Sequence, residues 1–117
     1  MLGTLPEIDW FESVALTLGW REIYLIEGES MYPALRSGDQ VLICPYDTIR
    51  VGDIVLARHP FMKSVTIIKR VAQILDDGRY FLLGDHALES ADSRSFGALN
   101  PTDILGRATC FLTRSNV

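Results

Sequence analysis

The stretch "IEGESMYPAL", residues 26–35, places one serine after Gly-Glu, with Met next and Pro three positions on. Such a serine can be a plain turn residue or a nucleophile held at a strand end. A serine hydroxyl is a weak nucleophile until a neighbouring base takes its proton, so Ser30 calls for a partner elsewhere in the chain. His59 lies in "ARHPF" beside a proline and His86 opens a long loop; nothing local orients either one. The hydrolase elbow Gly-x-Ser-x-Gly fails because Tyr32 stands where the second glycine belongs, and Ser-x-x-Lys fails because Pro33 occupies the lysine position.

Two lysines remain. Lys63 follows "HPFM" at a turn, where a solvated charge is the natural reading. Lys69 sits inside "SVTIIKRVAQI", and strand alternation sets it on one face with Val65, Ile67 and Val71. An ammonium among branched apolar side chains is costly, and burial favours the neutral amine, carrying a lysine pKa well below its usual value of about 10.4. A neutral amine is a general base. The competing reading is an edge-strand lysine whose head reaches water.

The elements that must position these groups are short. "EIYLIE", "QVLIC", "DIVLARH", "SVTIIKRVAQI", "RYFLLG" and "ILGRATCFLT" are rich in Ile, Val, Leu, Tyr and Phe, and "SGD", "VGD", "DDGR" and "NPTD" punctuate them. Six close strands without intervening helices predict a mainly β, antiparallel, barrel-like sheet. "LPEIDWFESVALTLGW" predicts an N-terminal helix: Ile8, Phe11, Ala15 and Leu18 recur at helical spacing, Glu7 and Asp9 fall in the first turn, and Gly19 can end it. We expect that helix to pack on its own domain or on a partner. "HALESADSRSFGALN" is the one long irregular loop, a length that often carries function.

With 117 residues the chain reads as one domain, 1–117, with the helix within 1–20 and a β core over 24–113. A net charge of −4 provides no basic footprint for nucleic acid. Cys44 and Cys110 are too few for a disulfide framework, and neither they nor the two histidines show metal-ligand spacing, so no cofactor or metal is expected. No basic-then-apolar leader is visible, and no apolar run approaches the ~20 residues of a membrane span. The expected location is cytoplasmic.

"GESMYPALRSGDQVLI" resembles the nucleophile region of type I signal peptidases, Gly-x-Ser-Met-x-Pro-Thr-Leu followed by Gly-Asp. "VGDIVLA" and "IIKRV" resemble the next two boxes, and "GDHALESADSRSFG" the last, Gly-Asp-Asn…Ser-x-Asp-Ser-Arg…Gly. The four boxes stand in the family's order across residues 28–97. The resemblance implies a Ser/Lys endopeptidase in which Ser30 is the nucleophile, Lys69 its general base and Ser90 the hydroxyl that orients the lysine. It implies that the Ser30 N–H contributes to an oxyanion hole. It also implies that Asp92 and Arg94 brace the loop as an ion pair, with strand-like spacing setting both on one face, and that Asp85 supports the same loop. Gly28 replaces a hydroxyl that some members use as a second oxyanion donor, Ala34 replaces the usual Thr, and His86 replaces the usual Asn.

Among relatives, the small unanchored kind that matures nickel-type superoxide dismutase is the most similar in outline. The implied partner is a precursor protein whose N-terminal propeptide binds as an extended strand. Two other readings stay open. One is a self-cleaving repressor-type Ser/Lys domain, for which the residues before Ser30 supply no basic helix pair. The other is a non-catalytic binding module on the same fold, for which retention of Ser30, Lys69 and Ser90 would be unexplained.

Overall fold

The computed structural model describes residues 3–89 and 91–115. Each of the six predicted runs is a strand: β1 (Glu22–Leu25), β2 (Gln40–Pro45), β3 (Ile54–Arg58), β4 (Thr66–Ile74), β5 (Tyr80–Leu83) and β6 (Ile104–Thr113). They form one antiparallel sheet in the order β1-β2-β6-β3-β4-β5. The sheet is curled but not closed. Register shifts in the β2–β6, β3–β6 and β4–β5 ladders mark bulges, which bend a strand and increase its twist. The curl brings Tyr24 Oη on β1 to 3.4 Å from Thr66 Oγ1 on β4, although four ladders separate the two strands.

Alternation divides the apolar residues between the two faces of the sheet. Ile54 and Leu56 of β3 join Ile43, Ile68, Phe111, Met31 and Leu35 in one core, while Val55 and Ala57 join Val71, Leu82 and Leu99 in a second. Where β6 crosses β2 the backbones are close. A Cβ on Gly106 would lie 2.5 Å from Ile43 Cγ2 and 2.7 Å from the Cys44 carbonyl oxygen. We therefore predict that Gly106→Ala lowers stability by about 1–3 kcal/mol, read as a lower denaturant midpoint at unchanged m-value.

The helix is shorter than the sequence suggests. Helix α1 runs only from Trp10 to Thr17, and Asp9 is its N-cap, accepting from Glu12 N at 2.8 Å. Glu7 lies outside it, in a parallel bridge with Phe111, and Phe111 N donates to Pro6 O at 2.8 Å. That long-range pairing with β6 takes the segment that local periodicity assigned to the first turn. The expected apolar face does not form either: of the helix, only Ala15 is buried, while Phe11 and Leu18 are exposed, as are Trp10 and Trp20. Polar contacts fasten the helix instead, with Glu12 gripping Arg21 through two bonds of 2.9 Å and accepting from Thr109 Oγ1. No helix among the described residues is long and apolar enough to cross a membrane.

Candidate active site

Ser30 rides on a loop that is pinched at its base and plugged into the core. Ile26 N donates to Asp39 O and Gly38 N to Ile26 O, both at 2.8 Å, which joins the two ends. Buried Asp39 accepts from Arg36 N at 2.8 Å. Within the loop, Tyr32 N reaches Glu29 O at 3.1 Å and Leu35 N reaches Met31 O at 2.9 Å, so the backbone coils while Met31 and Leu35 point into the first core. Ser30, next to the Met31 anchor, stays half-buried. Gly28 serves this loop through its φ of +80°, a left-handed conformation that side chains disfavour. No atom of the chain crowds the position a Gly28 Cβ would take.

Lys69 is 5% exposed on β4, directly across from Val55. Ile67 and Val71, two residues to either side on its face, pack with the second core, whereas Val65 falls in the preceding turn and is partly exposed. Burial pushes the Lys69 ammonium below its usual pKa; the nearby Asp92 carboxylate opposes that shift and the Arg94 guanidinium adds to it. This is an interior lysine, not one reaching water from an edge. It is also the first residue of β4 beyond the β5 ladder, whose pairing begins at Arg70↔Leu83.

The segment after β5 links the two. Three residues beyond Leu83, His86 donates its backbone N–H to Ser30 O at 2.9 Å, and its Nδ1 lies 3.3 Å from Glu29 O. Asp85, one residue earlier, takes both prongs of the Arg70 guanidinium, Nε at 3.0 Å and Nη2 at 2.9 Å. Arg70 also donates to Gly52 O at 2.9 Å and Gly3 O at 2.6 Å, so four of its five N–H donors are used, which suits a buried guanidinium. The Ser30 loop is thus tied, through His86 and Asp85, to Arg70, the residue beside Lys69. Arg70 was not singled out from sequence. Its signal was a second charge in "IIKRV", one step from the lysine and therefore on the opposite face.

Asp92 and Arg94 do form an ion pair, with Nε–Oδ1 at 3.0 Å and Nη2–Oδ2 at 2.5 Å. The backbone beneath them is a helical turn rather than a strand. Asp92 is the N-cap of α2 (Ser93–Phe96), and Gly97 ends it at φ +81°. Asp92 is fully buried and also accepts from Gly84 N at 2.9 Å, while Ser93 Oγ accepts from Leu82 N at 2.9 Å, which fastens α2 to β5. Replacing Asp92 with alanine orphans the Gly84 N–H and removes the cap; we predict a loss of about 1–3 kcal/mol by denaturant unfolding. Arg94 faces solvent, so breaking its ion pair adds little. Ser90 lies outside the described residues.

The other candidates separate from this centre. Lys63 is largely exposed and pairs with Asp103 at 3.2 Å. His59 Nδ1 accepts the backbone N–H groups of Phe61 and Met62, each at 3.1 Å, which occupies that lone pair. Cys44 and Cys110 are free thiols. No cluster of three or more His, Cys, Asp or Glu side chains able to hold a metal is found among the described residues. A cavity of about 400 Å³ is lined by Val51, Arg70, Leu83, Asp85 and Arg94 among others, but by neither Ser30 nor Lys69, so it flanks the centre rather than forming it.

Comparison with known proteins covers the same ground. Mitochondrial inner membrane protease subunit 1 of Xenopus tropicalis is 33% identical over 110 residues, which takes in 74% of this chain. The chain spans 65% of the length of that relative. The family model described as "Signal peptidase, peptidase S26" matches residues 13–74 and 72–113, segments that carry Ser30, Lys69, Asp85, Asp92 and Arg94. The chain belongs to the signal peptidase family, peptidase S26.

Proposed function

We propose that this chain is a serine endopeptidase in which Ser30 attacks the scissile carbonyl and Lys69 acts as its general base. The observation that carries the reading is a lysine 5% exposed, its pKa lowered by burial, on the strand to which the Ser30 loop is tied. In this mechanism the neutral Lys69 amine takes the Ser30 Oγ proton as Oγ bonds to the carbonyl carbon. The resulting ammonium returns that proton to the leaving amine as the C–N bond breaks. Water, deprotonated by the same lysine, then releases the acyl group and restores Ser30. The Ser30 backbone N–H stabilises the oxyanion in both steps. Ser90 orients the lysine amine, as in the enzymes the chain resembles.

The substrate in this reading is an extended peptide. Two strand edges support it among the described residues: no strand pairs with the outer side of β1, and β5 pairs with β4 only from Arg70 onward, which leaves Thr66–Lys69 without a paired strand on that side. Main-chain hydrogen bonds along such edges provide affinity, and the reading expects a small residue before the cut. We take the N-terminal propeptide of a nickel superoxide dismutase precursor, met in the cytoplasm, as the first substrate to test. Trimming it would free an amino group able to ligate metal, while the protease itself needs none.

Purified protein incubated with that precursor, with and without EDTA, and analysed by mass spectrometry is expected to release one N-terminal peptide in both conditions. An intact precursor in both conditions would overturn the substrate. Cleavage abolished by chelation alone would overturn the Ser/Lys chemistry.

A further inference from the structure

We propose that residues 3–7 form a strap that sets the nucleophile loop against β4, with Thr4 as a positioning residue; this inference rests on the Ser30/Lys69 reading. The segment touches both halves of the centre in consecutive residues. Thr4 Oγ1 donates to Ala34 O at 2.5 Å, inside the loop that carries Ser30. Gly3 O accepts from Arg70 Nη2 at 2.6 Å, the guanidinium beside Lys69 that also holds Asp85. Leu5 packs against the core that buries Met31 and Leu35, and the strap is anchored to β6 by the Phe111 N to Pro6 O bond of 2.8 Å and the Glu7↔Phe111 bridge.

These bonds complete a ring. From Ser30 O the path runs through His86 N and Asp85 to Arg70, from Arg70 to Gly3, and from Thr4 to Ala34, four residues beyond Ser30. One side of the ring is the loop after β5; the strap is the other. Without the strap the loop keeps its base bonds and core anchors but only one of its two ties to the Arg70 side, and a displacement of about 1 Å can cost up to ~10²-fold in rate. The strap touches neither Ser30 nor Lys69 through a hydrogen bond, so its effect is on placement rather than on proton transfer.

The test is Thr4→Val, which keeps the side-chain shape and removes the donor, beside Thr4→Ser, which keeps the donor. Two readouts are taken on each purified chain: hydrogen exchange of the backbone amides of 31, 32, 34–36 and 84–88, and kcat and KM for the precursor peptide. Thr4→Val is expected to speed exchange in both segments and to lower kcat about five- to thirtyfold, with KM within about twofold, while Thr4→Ser behaves as wild type. Unchanged exchange in Thr4→Val overturns the strap whether or not the wild-type chain cleaves anything. Faster exchange with unchanged kcat in an active enzyme also overturns it, because the strap would then hold the loop without positioning it. An inactive wild type sinks the peptidase reading, while the exchange readout still decides whether the strap holds the loop.

Discussion

Lys69→Ala is expected to lower kcat/KM by at least about 10³-fold, and Ser30→Ala by a similar factor, with the double variant no worse than either single one. In the proposed mechanism the effects do not add because the hydroxyl and the amine make one step between them: without the base the hydroxyl keeps its proton, and without the hydroxyl the base has nothing to accept. Lys63→Ala is the control, since that ammonium is largely exposed and its partner is Asp103, away from the Ser30 loop. Its activity should stay within about twofold of wild type. A further variant, Lys69→Met, checks that the fold does not need the ammonium. Removing a buried ammonium relieves a desolvation cost, so Lys69→Met should unfold at no lower denaturant concentration than wild type at pH 7. Wild-type cleavage by Lys69→Ala would remove the lysine from the mechanism.

The second large effect is on pH dependence. Only the neutral amine is a base, and burial holds the Lys69 pKa below its ordinary value. Below that lowered pKa the neutral fraction falls tenfold for each unit of pH, so kcat/KM should climb about tenfold per pH unit before it levels off. The two charges that act on Lys69 should move this limb in opposite directions. Asp92 raises the lysine pKa, so Asp92→Asn shifts the limb to lower pH; Arg94 lowers it, so Arg94→Met shifts the limb to higher pH. A histidine base would instead level off near its usual pKa of about 6.5 and be insensitive to both changes. Replacing His59 and His86 together should leave the limb in place.

The β framework was legible because it rests on local signals: short runs of branched and aromatic residues, several bounded by turn signals such as Gly38-Asp39, Gly52-Asp53 and Asp77-Gly78. The sheet order rests on long-range strand pairing and the curl that brings Tyr24 to Thr66 accompanies register shifts within the ladders; no local residue pattern announces either. The helix was read too long because helical spacing continues through Ile8, and pairing of residues 6 and 7 with Phe111 is a contact across more than 100 positions. The Asp92–Arg94 pair was legible, but its backbone was misread. Asp as N-cap and Gly97 after Phe96 were helix-boundary signals in plain view. Arg70 and Thr4 escaped notice because their partners are a carboxylate 15 residues away and a backbone carbonyl 30 residues away.

The most direct test of the account is the titration of Lys69 itself. NMR of the Lys69 side chain, assigned by comparison with Lys69→Ala, gives its protonation curve in the free protein, and kcat/KM against pH gives the curve for catalysis. The account predicts one shared midpoint, below the ~10.4 of an ordinary lysine. A Lys69 midpoint at about 10.4, with a rate that rises through about 6.5 instead, would contradict it.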